Sequence, residues 1–320
     1  MRPSIRAWLI PGALAVAAVG IASAVYQAVS EAVDRRRFPP VGLLADVGSR
    51  SLHLVVMGAG SPTVVIVPAI GGNVLDWVAF QRELAGEARV CVFDRAGYGW
   101  SDPPPGRQTF DGKADDLRRG MGAAEILPPY VLVGHSVGGI IARRFAARYP
   151  GDVAGMVLVD SSHEDQARRL YAEGFWSRGT GVLLRLAIQA RLRILGLRRL
   201  AVAAGRSQMS AWIARDVPPE FAGAARAVNL TARHRRTVVR EMMLMARSHD
   251  QPPGLGDLPL TVLTASGRDP TWMALQAELA GISTASVHTV AARGGHYLHA
   301  DAPDLVIAAI RDLLARIREA

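Results

Sequence analysis

Residues 130–149 read YVLVGHSVGGIIARRFAARY. The valine-rich run Tyr130–Ser136 has the character of a strand, and Val137–Tyr149 that of a helix. Their junction, Gly134-His135-Ser136-Val137-Gly138, is a G-x-S-x-G motif. A serine on a tight strand-to-helix turn takes a strained backbone conformation, and its neighbours two positions away must be small. Gly134 and Gly138 meet that condition. Such a turn lifts the hydroxyl above the sheet and aims the Val137 N–H, at the helix start, toward developing negative charge. Alone the motif is a weak signal; the strand before it and the helix after it make Ser136 a candidate nucleophile and Val137 a candidate oxyanion donor.

Working outward, the same alternation recurs. Ser51–Gly58, Thr63–Ala69, Arg89–Arg95, Ala154–Ser161, Leu260–Ser266 and Ala285–Ala291 read as strands, while Leu75–Gly86, Phe110–Glu125 and Ala302–Ile317 read as helices. Short apolar runs between amphipathic helices predict an α/β protein with a mostly parallel central sheet covered by helices on both faces. From about Glu164 to Pro253 the alternation stops. That stretch, rich in Ala, Leu and Arg, predicts a helical cap inserted between two sheet strands. The expected organisation is an N-terminal anchor and flank (1–37), a first core part (38–163), the cap (164–253) and a second core part (254–320).

Composition narrows the classes. The chain has 320 residues, half of them apolar, which excludes bulk disorder. A lone cysteine, Cys91, excludes an internal disulfide framework and a cysteine-based zinc site. The formal charge of +9 comes from 36 arginines and one lysine, Lys113. Such an imbalance reads as a compositional habit, and no nucleic-acid partner is expected from it. The excess is concentrated: residues 165–250 hold 16 Arg against 6 Asp and Glu.

Ala7–Ser30 contains no charged residue and is flanked by Arg2 and Arg6 on one side and Arg35, Arg36 and Arg37 on the other. That is long enough to cross a bilayer as a helix. The expectation is a single N-terminal transmembrane helix anchoring the protein in the plasma membrane. The rival is a secretory signal cleaved near Ala24, at Ala22-Ser23-Ala24, although the apolar run continues beyond that point. Arginines at both ends leave the orientation open.

A serine nucleophile needs a base, and the base an orienting acid, here in the chain order serine, acid, histidine. Asp269 follows the strand-like LTVLTAS, and His296 follows ASVHTVA. Both fall just past strand ends, where ligands sit on open α/β sheets. His299 and His288 are rival bases. Asp160, at the end of the strand after the nucleophile, is the second candidate acid; Asp269 is preferred.

These blocks resemble the α/β-hydrolase fold family, in its cap-bearing subgroup of esterases, epoxide hydrolases, haloalkane dehalogenases and proline iminopeptidases. Asp94 to Asp102 (DRAGYGWSD) is similar to the family's D-R-x-G-x-G-x-S-D loop, and Pro128 to Ser136 to its nucleophile strand. Leu263 to Asp269 looks like its acid block, and Gly295-His296 through Asp301-Ala302-Pro303 like its histidine block. Ser136 stands where epoxide hydrolases and dehalogenases carry Asp, so the resemblance implies acyl transfer to water. The family's His-Gly after the third strand is replaced by Pro68-Ala69, and the resemblance then implies the backbone N–H of Ile70 as the second oxyanion donor.

The expected activity is cleavage of a carboxylic ester through an acyl-enzyme, acting on a small hydrophobic acyl substrate, with no metal or organic cofactor. Val182–Leu200 reads as an amphipathic cap helix suited to a greasy substrate or the bilayer interface. An aminopeptidase is the alternative; it would need a cap carboxylate for a substrate ammonium, and Glu173, Glu220 and Glu241 are available. A non-catalytic binding protein on the same scaffold is the third reading.

Overall fold

Residues 5–171, 196–205 and 207–319 are described in a computed structural model. Helix α1 (Ile5–Arg37) precedes strands β1 (Leu43–Asp46), β2 (Ser51–Met57) and β3 (Thr63–Val67). Next come α2 (Val78–Leu84), β4 (Val90–Phe93), α3 (Phe110–Ala123), β5 (Tyr130–His135), α4 (Val137–Arg148) and β6 (Val153–Val159). The described residues between β6 and β7 (Leu260–Thr264) include helices and no strand. They form α5 (Gln166–Tyr171), α6 (Leu197–Ala203), α7 (Gln208–Asp216), α8 (Ala222–Asn229) and α9 (Ala232–Met245). The chain ends with α10 (Pro270–Ala280), β8 (Ser286–Val290), α11 (Leu298–Asp301) and α12 (Pro303–Glu319).

The strands form one sheet in the order β1-β2-β4-β3-β5-β6-β7-β8. β2 pairs antiparallel with β1 and β4; every pairing from β4 to β8 is parallel. The valine runs are continuous because both faces are buried. Val64, Ile66, Val131 and Val133 point to one side, where Leu84 of α2 and Ile307, Ile310 and Leu314 of α12 cover them. Val65, Val67 and Leu132 point to the other, against Leu117 of α3 and Ile141 and Phe145 of α4. Each such side chain, fully buried, stabilises the fold by about 1.5–3 kcal/mol before chain entropy is set against it.

Two differences from the sequence reading have simple causes. β1 is a four-residue edge strand whose Leu43 and Leu44 face solvent, so it carries no alternating pattern. The expected helix 75–86 is split: Asn73 caps a single 3-10 turn, Val74–Asp76, through a reciprocal bond pair with Asp76, and α2 begins after it.

Helix α1 is seated on the cap by polar side chains of its C-terminal half. Gln27 donates to the Leu230 carbonyl (2.7 Å), and Glu31 accepts from the Ala232 N–H (2.7 Å), where the start of α9 favours negative charge. Arg199 of α6 donates to Gln27 (3.2 Å) and to Asp34 (2.5 Å). Val19, Ile21, Val25, Val29 and Val33 remain exposed along the same helix. Among the described residues no helix is long and apolar enough to cross a membrane. The expected span Ala7–Ser30 runs into side chains outside the described set, and residues 182–195 of the expected cap helix Val182–Leu200 lie outside the described residues.

Candidate active site

Ser136 sits between β5 and α4 with φ 53° and ψ −123°, a backbone conformation rarely taken by an L side chain. The surroundings hold it there. Its N–H donates to Val159 O (3.2 Å), and its carbonyl accepts from Gly139 N (3.0 Å) and Ser162 N (2.9 Å). Glycine is demanded on both sides by close backbone approach. A Cβ on Gly134 would lie 2.5 Å from Gly139 Cα, and one on Gly138 would lie 2.0 Å from Val67 O. The hydroxyl of Ser136 lies 3.4 Å from that of Ser162.

His296 enters from the loop after β8. Its Nδ1 lies 2.6 Å from Asp160 Oδ2. Asp160 follows β6 at φ 38° and is fully buried. Its Oδ1 accepts from the Ala265 N–H (3.0 Å) and Trp272 Nε1 (2.9 Å), and Arg268 Nη2 lies 3.4 Å from Oδ2. Burial acts to raise the Asp160 pKa. The His296 hydrogen bond, the Ala265 amide and the Arg268 charge overcome it and hold the carboxyl below its usual range. An ionised Asp160 accepts, so His296 carries its proton on Nδ1 and keeps the Nε2 lone pair free to take another.

Asp269, the acid expected from sequence, is elsewhere employed. It is the N-cap of α10, accepting from the Thr271 N–H at 2.7 Å ahead of Pro270. The carboxylate that reaches His296 comes from β6, one strand nearer the nucleophile in the sheet, and was the second candidate. The rival histidines are also engaged. His288 pairs with the Thr264 hydroxyl (2.8 Å) on the edge strand, and His299 stacks on Trp77 at 3.9 Å.

The two backbone donors expected for an oxyanion are free. Val137 N–H is the first of α4 and has no intrahelical acceptor. Ile70 N–H has no hydrogen-bond partner among the described residues. The loop bearing Ile70 packs directly on the nucleophile turn, since Pro68 O lies 2.8 Å from a Cβ built on Gly138. Ile70, Asp76, His135, His234, Tyr297 and His299 line one cavity of about 290 Å³, roofed by Met209, Trp212 and Val238 of the cap. Burial, with His299 and His296 as neighbours, pushes the His135 imidazole well below its usual pKa. His135 Nε2 donates to the His296 carbonyl at 2.8 Å and so braces the loop that carries His296.

The sequence reading missed the residues that position these groups. Asp94 Oδ1 accepts from the Val74 N–H (2.8 Å), and Oδ2 from the Trp100 N–H (3.2 Å) and the buried His53 (2.7 Å). Arg143 of α4 reaches Ser161 Oγ and Ser162 O, with Glu164 as its buried partner at 3.0 Å. Their signal was present as charged residues inside otherwise apolar segments, but the partners are distant in sequence.

A family model described as the alpha/beta hydrolase fold matches residues 62–211. The sheet order, the nucleophile turn and that match agree. The chain has the α/β-hydrolase fold. Among solved structures this α/β-hydrolase-fold chain is similar to the enol-lactonase of Burkholderia xenovorans LB400, with TM-score 0.63 and 20% identity, covering 85% of this chain and 100% of that one. It is also similar to a thermophilic esterase of Thermogutta terrifontis, with TM-score 0.55 and 22% identity, covering 86% and 97%. Among curated proteins, the putative carbamate hydrolase RutD of Azorhizobium caulinodans is 29% identical over 148 residues, 46% of this chain and 49% of that protein. The uncharacterized protein YqjL of Bacillus subtilis is 31% identical over 110 residues, and the match spans 44% of its length.

Proposed function

We propose that this protein is a serine hydrolase that cleaves carboxylic esters through an acyl-enzyme. The observation that carries the reading is the His296–Asp160 pair, held through Nδ1, together with a serine held in a strained turn at the end of the neighbouring strand β5. Ser136 attacks the carbonyl carbon as His296 Nε2 takes its proton. Asp160 fixes the tautomer and stabilises the imidazolium. The N–H groups of Ile70 and Val137 receive the oxyanion, each contributing about 3 kcal/mol of barrier lowering. His296 then protonates the leaving alkoxide, and a water molecule repeats the sequence on the acyl-enzyme. Ser136 Oγ and His296 make no direct hydrogen bond, and the serine hydroxyl faces Ser162. Rotation of the hydroxyl toward Nε2 on substrate binding is part of this reading, since catalytic hydrogen bonds often tighten only in the complex.

The aminopeptidase reading has lost two of its three candidate carboxylates. Glu241 is buried against Arg95 and Lys113, and Glu220 pairs with Arg82 on the surface. Glu173 lies outside the described residues. Ester cleavage is therefore favoured over capture of a substrate ammonium.

The experiment is active-site labelling with a fluorophosphonate, followed by turnover of p-nitrophenyl esters of graded length beside aminoacyl-anilides. Labelling lost in Ser136→Ala, with ester turnover exceeding anilide turnover, is the expected outcome. Folded wild-type protein that does not label supports a non-catalytic binding protein instead.

The N-terminal helix is read as a membrane anchor placing the cap near lipid, with secretion after cleavage near Ala24 as the alternative. Its exposed valines and isoleucine and the Arg35–Arg37 cluster support the anchor. Removing Met1–Ala24 should leave short-ester turnover intact and abolish sedimentation with anionic lipid vesicles; unchanged sedimentation counts against the anchor.

A further inference from the structure

Arg95 and Glu241 lie 146 residues apart and meet in the interior, 2% exposed each. Arg95 follows β4 in the core, whereas Glu241 belongs to α9 of the cap. Arg95 Nε and Nη2 donate to the two Glu241 oxygens at 3.1 and 2.8 Å, a paired geometry that fixes the guanidinium plane. Tyr98 donates its hydroxyl to Glu241 Oε2 (2.8 Å), and Lys113, the one lysine of the chain, lies 2.9 Å from Oε1. Burial alone would raise the Glu241 pKa; Arg95 and Lys113 pull it down to about 2, so the carboxylate is charged at every physiological pH.

The remaining N–H groups of Arg95 have a specific task. Nη1 donates to Pro68 O at 2.6 Å and Nη2 to Ala69 O at 2.8 Å. Ala69 O also accepts from Gly72 N (2.9 Å), closing a turn in which Gly71 takes φ 77°. The Ala69 carbonyl and the Ile70 N–H belong to one planar trans peptide, so they point in opposite directions. Drawing the carbonyl onto Arg95 turns the N–H away from Arg95 and leaves it without a partner. Flipping that peptide would withdraw the Ala69 carbonyl from Arg95 Nη2 and from the Gly72 N–H, which the burial of Arg95 makes costly.

We propose that Glu241 is a positioning residue for the oxyanion hole: by orienting Arg95 it sets the Ala69–Ile70 peptide, so that seating cap helix α9 on the core and presenting the Ile70 N–H are a single event. The inference rests on the serine-hydrolase reading. It assigns the cap a part in transition-state stabilisation besides covering the cavity, and it gives a reason for the loop to work without the family's His-Gly pair. A core whose α9 is displaced would keep Ser136, His296 and Asp160 and lose one oxyanion donor.

The test compares Glu241→Gln and Glu241→Asp with wild type in the full chain. Turnover of p-nitrophenyl butyrate is normalised to the sites that fluorophosphonate labels at completion, so a misfolded fraction does not count. Glu241→Asp retains the buried charge and withdraws the carboxylate by one methylene, which keeps the test available where Glu241→Gln fails to fold. Loss of one oxyanion donor lowers kcat by about a hundredfold or more, and a mispositioned donor by less. The expected result is a per-site kcat reduced about tenfold to a hundredfold in Glu241→Gln and severalfold in Glu241→Asp, with KM within about twofold of wild type. Affinity for an alkyl boronic acid, which forms a tetrahedral adduct, should fall in parallel. Wild-type per-site kcat and boronate affinity in both variants overturn the coupling and leave the hydrolase reading standing. Wild-type protein that neither labels nor turns over ester overturns both.

Discussion

His296 Nδ1 and Asp160 Oδ2 lie 2.6 Å apart, joined across 136 residues and two strand ends. The carboxylate that meets His296 therefore leaves the sheet after β6, and the later Asp269 caps a helix. Asp160→Asn should lower kcat by roughly 10³ to 10⁴-fold, because the amide no longer selects the tautomer that leaves Nε2 free. Asp269→Asn should leave kcat unchanged and cost at most about 1 kcal/mol of stability through its cap. Steady-state kinetics of the two variants on a short ester checks both; a larger loss for Asp269→Asn would reverse the assignment.

Ser136 stores backbone strain for its position. Replacing it with glycine removes the penalty for φ 53° as well as the nucleophile. Ser136→Gly should be inactive yet more stable than wild type by about 1–3 kcal/mol, measured by urea denaturation. Ser136→Ala keeps the strain and should show no comparable gain.

Gly138 has no room for a methyl group. Its Cβ would meet the Val67 carbonyl at 2.0 Å and Pro68 O at 2.8 Å, both backbone atoms at the end of β3. Gly138→Ala should destabilise the protein by several times the ~1 kcal/mol ordinarily seen for a point change and reduce labelling by fluorophosphonate. Thermal denaturation and labelling stoichiometry are the measurements; a wild-type melting point would contradict the packing described.

Asp76 gives the protein a signature in pH. Burial pushes its carboxyl up to about 8, against the pull of the Asn73 amide, and its Oδ1 has no partner. The folded state then holds a proton that the unfolded chain has released, so stability is full below the unfolded pKa and falls as pH rises toward 8. His135, His234 and His299 act in the opposite sense: burial lowers their pKa values, to about 3 for the last two, and their contribution is lost as pH falls below 6.5. Between pH 6.5 and 8 the Asp76 effect is separated from theirs. Unfolding free energy should decline there with a slope approaching ~1.4 kcal/mol per pH unit, and Asp76→Asn should flatten it. Equal slopes in the two proteins would refute the buried neutral carboxyl.

Much of the fold was legible because its signals are local. The valine runs of β3, β5, β6 and β7 announce strands buried on both faces, and the Gly134–Gly138 spacing announces a turn that only small neighbours permit. The edge strand β1 was not legible, since Leu43 and Leu44 face solvent and four residues carry no period. The choice between Asp160 and Asp269 was misjudged for a different reason. Both follow a strand in a parallel sheet, and only the register of β6 against β7, with the path of the loop carrying His296, decides which carboxylate is within reach. The Arg95–Glu241 link is longer still, and nothing in either segment names its partner.

Gln27, Glu31 and Asp34, the side chains through which α1 grips the cap, all lie downstream of Ala22-Ser23-Ala24. A peptidase cutting after Ala24 would leave a stub starting at Val25 that still carries every one of them. A chain cut there and an uncut one would thus share the same bracing of the cap, differing only in the residues upstream of Val25.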